Sequence, residues 1–237
     1  MTGKKPPHRL FPHGEFQRLA PNLWIVRGGL PVPLYRNMVV YRLNDGRLIL
    51  HSLVALSEAG MRQLEALGRP SIMVIPHGYD GMDASWYLGR YPQAAFLAPD
   101  EERSQLAEYF TNITDDPAGV LPSLGITLHK VAGLKFTEYV LQAPVEGGAA
   151  LIFSSALDNR GACPPGFLGR LMDLVAMTGG RLAPGRMLRA FMVRDRAAFK
   201  NFLATMAAIP AVKIVTVSHG DPITSGDIAA RLKEAAA

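Results

Sequence analysis

The sequence predicts a four-layer αββα sandwich of the α+β or α/β class, with two mixed β-sheets packed face to face and helices outside. Hairpin-like pairs of β-rich runs alternate with strand–helix units in both halves of the 237 residues. Several of the remaining strands are continuous apolar runs, as expected of strands covered on both faces. No Pro/Ser-rich linker interrupts the chain, so we expect one domain over 19–237 behind a flexible arm over 1–18.

The first elements are a strand and a hairpin. The run LWIVRG predicts a strand over 23–28, which ends at two glycines and the prolines that follow. Two β-rich runs, 38–43 and 47–52, flank Asn44-Asp45-Gly46. A turn that contains Asp-Gly between such runs favours a β-hairpin.

The hairpin is followed by strand–helix units. Ser57 predicts the start of a helix that runs to about Leu67 and is closed by Gly68. The apolar run SIMVIP predicts a buried strand over 71–76. The rest of this half contains a short helix at 83–91, a strand at 94–99 and a helix at 100–110.

The second half repeats this organisation. Three β-rich runs predict strands, with a turn at Gly147-Gly148 between the last two. Asp195 predicts the start of a helix, and Thr224 or Ser225 the start of the final one. The predicted elements are strands at 126–131, 135–143 and 149–156, helices at 165–177 and 195–208, a strand at 212–218 and a helix at 224–236.

Composition excludes several classes of protein. Half-apolar composition (49% hydrophobic, 19% charged) excludes a disordered chain. No run of 18 apolar residues predicts a membrane-spanning helix, so no membrane partner is expected. The first residues lack the apolar core of a signal peptide, and the single Cys163 cannot form an internal disulfide. We therefore expect a soluble cytoplasmic protein.

Basic residues concentrate between 160 and 200, and two interpretations are open. They could form one nucleic-acid-binding face, or they could cover apolar surface with their stems on solvated helices. Helical spacing places Arg196 and Lys200 on one face and Arg194 off that face, which favours scatter. We therefore expect no nucleic-acid partner. The basic residues are Arg160, Arg170, Arg181, Arg186, Arg189, Arg194, Arg196 and Lys200.

Candidate ligands lie at strand ends. His77 follows the strand SIMVIP, Asp158 follows LIFSSAL, and His219 follows VKIVTVS. Ligands of open α/β sheets bind outside the carboxyl ends of strands. Imidazole and carboxylate are common ligands of zinc, iron and manganese, so the three positions predict a candidate metal site. His51 also stands at the end of a strand.

These segments together resemble the metallo-β-lactamase-fold superfamily over roughly residues 20–235. The resemblance lies in LWIVRG, VVYRLNDGRLILHS, SEAGMRQLEALG, SIMVIPHGYDGMDASWYLGRYPQAAFLAP, ALIFSSALDN and VTVSHGDPITSGDIAARL. It implies the αββα sandwich with a metal site at one edge of the sheets. It also implies that His77 is a metal ligand, that Asp158 matches the bridging aspartate and that His219 matches the last histidine.

The sequence departs from the family's His-x-His-x-Asp-His motif. Tyr79, Gly81 and Met82 stand at the last three motif positions, and phenol, hydrogen and thioether are poor or absent zinc ligands. His51 replaces the usual aspartate after the hairpin, and no middle histidine lies near 132–134. The chain resembles an uncharacterised branch of the superfamily with eroded motifs, and we expect at most one metal.

Two hypotheses of function follow. The first is a metallo-hydrolase-like enzyme with one zinc, iron or manganese ion, acting on a small ester, amide or phosphoester. Asp80 or Asp83 would be the general base, and Tyr79, Trp86 and His51 would bind substrate. The alternative is a pseudoenzyme without metal that binds a small anionic ligand or a protein partner. The sequence has no P-loop or dinucleotide fingerprint, so no nucleotide cofactor is expected.

Overall fold

The protein is a four-layer sandwich, as the sequence predicts. A computed structural model of the chain describes residues 10–32, 34–108, 110–161, 166–167, 178 and 180–236. Two β-sheets lie face to face and helices cover their outer faces. The predicted helix at 165–177, apart from 166–167, and Cys163 lie outside the described residues. In the described part of the chain, no helix has the length and apolar character needed to cross a membrane.

The first sheet has six strands in chain order. The first four form an antiparallel meander, the fifth pairs in parallel with the fourth, and the sixth pairs in parallel with the fifth. The predicted hairpin forms around Asn44-Asp45-Gly46, where Gly46 adopts a φ of +81°. The strands are β1 Gln17–Ala20, β2 Leu23–Gly29, β3 Tyr35–Arg42, β4 Arg47–His51, β5 Arg69–Val74 and β6 Ala95–Leu97.

The second sheet has four strands in the order β10-β9-β8-β7. Its last strand in the chain, β10, pairs in parallel with β9, and the other pairs are antiparallel. The strands are β7 Thr127–Lys130, β8 Tyr139–Val145, β9 Gly148–Ile152 and β10 Val212–Thr216. The pairs β4–β5 and β9–β10 are parallel, so the two strands of each pair end at the same side of their sheet. The loops that follow these four strands lie at one edge of the sandwich.

The helices begin at polar caps. The Ser57 hydroxyl accepts the N–H of Gly60 at the start of α1, and Asp195 accepts that of Ala198 at the start of α5. The last helix starts later than predicted: Asp227, rather than Thr224 or Ser225, accepts the N–H of Ala230. The helices are α1 Glu58–Leu67, α2 Ala84–Arg90, α3 Arg103–Leu106, α4 Pro117–Val120, α5 Arg196–Ala207 and α6 Ile228–Ala236. Short 3₁₀ turns at Asp100–Glu102 and Leu121–Leu124 and a π-helical turn at Leu188–Met192 complete the set.

Three buried clusters hold the layers together. One lies between the first sheet and α1–α3 and contains Met61 and Tyr87. The second lies between the second sheet and α5–α6 and contains Phe199 and Leu232. The third fills the space between the sheets with alternate residues of facing strands, such as Ile49. Successive residues of a strand point to opposite faces of its sheet, so they contribute alternately to two different clusters.

The predicted flexible arm is wrong for its second half. The backbone of Gly14 donates to Arg27 of β2, and Gly29 donates to Pro12, so the chain before β1 runs along the sheet. The strand β1 itself begins at Gln17, inside the predicted arm. The reason is that an edge segment gains its hydrogen bonds from β2 without needing an apolar pattern of its own. Residues 1–9 lie outside the described residues.

Candidate functional site

The strand ends place the predicted ligands around one cavity. His77 follows β5, Asp158 follows β9 and His219 follows β10. All three line a cavity of about 520 Å³, which we call the site cavity. Tyr79, Ser155 and Arg160 supply further polar groups to its lining. Its apolar residues are Leu34, Phe136, Met187, Leu188, Phe191 and Met192.

Both ring nitrogens of His77 are engaged. Nε2 lies 2.8 Å from the Ser155 hydroxyl, and Nδ1 accepts the backbone N–H of Tyr79 at 3.2 Å. Since Nδ1 accepts, the ring proton of neutral His77 resides on Nε2 and points to Ser155. The Phe136 ring packs edge-on against the imidazole, with centroids 4.9 Å apart. His77 therefore has no free nitrogen for a metal in this arrangement.

Asp158 is paired with a guanidinium. Nη2 of Arg160 donates to its Oδ2 at 2.7 Å, and both side chains are largely buried. Burial raises the pKa of Asp158, while His219 and Arg160 act in the opposite direction. The other oxygen, Oδ1, is buried and has no hydrogen-bond partner among the described residues, and neither have Nε and Nη1 of Arg160. A buried ion pair with three unsatisfied atoms is a place where a ligand gains hydrogen bonds.

His219 is oriented by the backbone. Its Nδ1 donates to the carbonyl of Tyr35 at 2.6 Å, which leaves Nε2 with the lone pair. Burial lowers the pKa of His219, and the Asp158 charge raises it. The loop is fixed by Asn37, whose amide donates to the carbonyls of Val217 and Gly220. His219 therefore presents Nε2 in a set orientation.

Gly220 allows the His219 loop to lie against the Asp158 loop. Its φ is +113°, and a Cβ there would meet the Asn159 carbonyl oxygen at 2.1 Å. The N–H of Asn159 donates to His219 at 3.0 Å in the same contact. Only glycine fits this close backbone approach.

Three buried serines connect the strand ends between the two sheets. Hydroxyls of Ser52 and Ser218 lie 3.0 Å apart, as do those of Ser218 and Ser154. At one end Ser154 lies 3.4 Å from His77, and at the other Ser52 donates to Asp80. Ser52 has a φ of +62°, a conformation that is uncommon outside glycine. This hydroxyl chain stabilises the loops that carry the site.

The two predicted general bases are tied to a buried arginine. Arg36 of β3 donates to Asp80 at 3.2 Å and to Asp83, and it is only 3% exposed. Asp83 also accepts the backbone N–H of Ala55. Neither aspartate is among the residues lining the site cavity. A buried cation therefore holds both carboxylates in the framework, away from the cavity lining, and the role of Asp80 or Asp83 as a general base stays a prediction.

Two predicted substrate-binding residues also lie elsewhere. His51 points between the sheets, where Ile49, Leu141 and Ile152 surround it, because it alternates with Leu50 along β4. Burial lowers the pKa of His51 to about 4. Trp86 packs against the apolar cluster between α2 and the first sheet. Of the predicted substrate-binding residues, only Tyr79, which is 54% exposed, lines the site cavity.

Two buried glutamates accept hydrogen bonds from the backbone of the site loops. The sequence analysis did not identify this structural role. Glu138, fully buried at the start of β8, accepts backbone N–H groups of Ser154, Ser155 and Ala156. Burial raises its pKa. Glu102 accepts those of Gly78 and Thr137 at 2.9 and 2.7 Å. Glu138 lies inside the strand predicted at 135–143, and Glu102 lies inside the helix predicted at 100–110. A single glutamate in such a pattern is a weak signal, since most glutamates face solvent.

The donor set does not fit a metal. In the described ranges, no group of three or more His, Cys, Asp or Glu side chains is arranged to hold a metal ion. His77 has both nitrogens engaged, and one oxygen of Asp158 is bound by a cation. Only Oδ1 of Asp158 and Nε2 of His219 remain. Two donors beside a guanidinium do not meet the three protein ligands usual for catalytic zinc.

Comparisons with known proteins show the fold. No protein-family model matches the sequence, and no curated protein matches it. Three solved metallo-β-lactamases match the structure over nearly their whole length. The enzyme from Erythrobacter litoralis, crystallised with beta mercaptoethanol in its active site, has 16% identity, a TM-score of 0.57 and coverage of 93% of this chain and 95% of its own. FIM-1 from Pseudomonas aeruginosa in its mono-zinc form has 13% identity, a TM-score of 0.61 and coverage of 98% of this chain and 96% of its own. The enzyme from Hirschia baltica has 16% identity, a TM-score of 0.55 and coverage of 94% of this chain and 97% of its own.

Proposed function

We propose that this chain, which has the metallo-β-lactamase fold, binds a small anionic molecule in the site cavity without a resident metal. The observation that carries the proposal is the Arg160–Asp158 pair: a protein cation neutralises the carboxylate that the family resemblance assigns to a metal. Both nitrogens of His77 are also engaged by Ser155 and Tyr79. The function is therefore that of a non-catalytic member of the fold.

The unsatisfied atoms define the chemistry of the ligand. Nε and Nη1 of Arg160 are donors that an acidic group satisfies, and Oδ1 of Asp158 is an acceptor that a hydroxyl or ammonium group satisfies. The apolar wall, with Met187 and Phe191 about half exposed, suits an aliphatic or aromatic body. The proposed ligand is a small acid with an apolar body and a hydroxyl or amino group beside the acidic group.

The experiment uses matched probes and matched variants. Calorimetric titration compares 2-hydroxyoctanoate, octanoate and 1-octanol with the full chain. We expect 2-hydroxyoctanoate to bind at least about tenfold more tightly than either analogue, which corresponds to about 1.4 kcal/mol. Arg160→Met removes the tight binding, whereas Arg231→Ala, an exposed arginine of α6, preserves it. Equal affinity for all three probes, or an unaffected Arg160→Met, overturns the proposal.

A second candidate is a mononuclear metal-dependent hydrolase. The specific observation in its favour is that Oδ1 of Asp158 and Nε2 of His219 form no hydrogen bond within the described residues. A metal there would supply a polarised water for attack on a small ester, amide or phosphoester. The two proposals differ in a direct readout, since only the hydrolase retains a stoichiometric metal when the protein is purified without added metal.

A further inference from the structure

A second cavity lies on the helical side of the second sheet and shares no lining residue with the site cavity among the described residues. Its volume is about 730 Å³, within the usual range for small-molecule pockets. We call it the basic groove. It lies between the start of α5, the end of α6, the segment 181–184 and the π-helical turn. Its lining residues are Arg181, Leu182, Ala183, Pro184, Arg189, Val193, Arg196, Ala197, Phe199, Lys200, Glu234 and Ala235.

The groove combines an apolar floor with a cationic rim. Leu182 and Phe199 are at least 95% buried in the cluster between the second sheet and its helices. Arg181, Arg189 and Arg196 are exposed, and within the described residues their guanidinium groups form no hydrogen bond or ion pair. Among the described lining residues, Glu234 carries the only carboxylate. Like charges that share a groove repel one another, and a bound anion relieves this repulsion.

This arrangement corrects the expected scatter of the basic stretch. Arg181 and Arg189 lie 8 residues apart in sequence on a loop and a π-helical turn, yet they line the same groove as Arg196 of α5. Arg194, which the helical spacing places off the face of Arg196 and Lys200, is not among the described lining residues. Tertiary packing, rather than the spacing on one helix, therefore gathers three guanidinium groups.

We infer that the basic groove is a second binding site, and that its ligand is a small amphipathic anion: an acyl or aromatic body that carries a phosphate, sulfate or carboxylate. The apolar floor takes the body and the rim arginines take the charge, since guanidinium is the side chain best suited to such anions. Nucleic acid fits less well, because a duplex contacts a cationic surface through its phosphates and does not fill an apolar floor. The inference is independent of the proposed function of the site cavity.

The test compares octyl phosphate with 1-octanol and inorganic phosphate in calorimetric titrations of the full chain. We expect saturable binding of octyl phosphate, at least about tenfold weaker binding of each of the other two, and an affinity that falls as salt rises. In NMR spectra, backbone amides of Ala197 and Ala235 shift on titration, and that of Ser155, which lines the site cavity, does not.

Variants locate the charge recognition. The triple change Arg181→Ala, Arg189→Ala and Arg196→Ala reduces affinity for octyl phosphate at least about tenfold. Ala197→Glu, on the exposed face of α5, does the same by placing a carboxylate in the groove without removing packing. Arg194→Ala is the matched control from the same stretch and preserves the affinity. Circular dichroism verifies that each variant is folded.

Three outcomes overturn the inference. The first is equal affinity for octyl phosphate and 1-octanol, which makes the rim charges irrelevant. The second is an Arg194→Ala effect as large as that of the triple variant. The third is salt-dependent binding of a short DNA duplex that Ala197→Glu abolishes while octyl phosphate fails to bind, which assigns the groove to nucleic acid.

Discussion

Nη2 of Arg160 lies 2.7 Å from Oδ2 of Asp158, so a guanidinium is bound to the carboxylate that the resemblance assigns to a metal. Arg160 follows Asp158 by two residues, and the backbone between them is fixed on both sides. Asp158 exchanges two backbone hydrogen bonds with Ala183, and Asn159 donates to His219. The backbone therefore holds Asp158 and Arg160 in position at the site.

Breaking this pair is expected to destabilise the fold. Asp158→Asn leaves the buried Arg160 cation without its counter-ion, and such a loss costs about 3–5 kcal/mol. The double variant Asp158→Asn/Arg160→Met recovers part of the loss, because it removes both charges. Urea unfolding measures the free energies. The surface pair Glu101–Lys130 is the control, and Glu101→Gln changes stability by less than about 1 kcal/mol. If the change in unfolding free energy of the double variant equals the sum of the changes in the two single variants, Asp158 and Arg160 are not energetically coupled.

Removing Arg36 is expected to impair folding rather than a chemical step. Arg36→Met leaves Asp80 and Asp83 as two buried carboxylates without their cation, and we expect a loss of about 3–5 kcal/mol. Asp80→Asn and Asp83→Asn are each expected to be destabilising while binding in the site cavity is preserved in the folded fraction. If either aspartate variant is fully stable and loses ligand binding, these carboxylates act at the site.

His51 is expected to make stability fall in acid. Burial lowers its pKa from 6.5 to about 4, while Asp80 raises it and His77 lowers it further. Because the unfolded chain binds the proton more tightly, stability is complete above about pH 6.5 and falls as the pH drops towards 4. At pH 5 the loss is on the order of 2 kcal/mol.

The matched variant for this prediction is His51→Leu. It removes the titrating ring and the two nitrogens that have no hydrogen-bond partner, so we expect equal or higher stability at pH 8. Urea unfolding at pH 8 and pH 5 gives the difference between the variant and the wild type. An identical pH dependence in both proteins would show that His51 is not the group responsible.

Ser155 is expected to be unreactive towards acylating reagents despite its contact with His77. The 2.8 Å distance matches a nucleophile–base pair, but His77 Nε2 carries the ring proton and cannot accept that of Ser155. Glu138 also occupies the backbone N–H groups of Ser155 and Ala156, which leaves no oxyanion donors there. Labelling with a fluorophosphonate and mass spectrometry of the peptide tests this. A label on Ser155 that is absent from Ser155→Ala refutes it.

The fold could be predicted because its signals are local and repeated. The hairpin around Asn44-Asp45-Gly46, the apolar run that becomes β5 and the Ser57 cap each specify an element from neighbouring residues alone. The strand β1 and the late start of α6 were not predicted. Their hydrogen bonds depend on β2 and on Asp227, which the pattern of apolar residues does not show.

The site could be predicted only in part. The ends of β5, β9 and β10 bring His77, Asp158 and His219 to one cavity, because parallel strands end at the same edge. Their role as metal ligands stays a prediction. The sequence does not show which of these side chains contact one another. Arg36 of β3 and the Ser52–Ser218–Ser154 chain come from separate segments that meet only in the folded protein. Arg36 lies outside the strand predicted at 38–43, so no local pattern marked it as a buried charge.

The central claim is that Arg160, and not a metal, neutralises Asp158. The most direct measurement is the zinc content of the protein purified without added metal, followed by equilibrium dialysis against micromolar zinc. We expect no stoichiometric zinc in either experiment, because both nitrogens of His77 are engaged and Arg160 holds Oδ2 of Asp158. One equivalent of retained zinc that is lost in both Asp158→Asn and His219→Gln would contradict it.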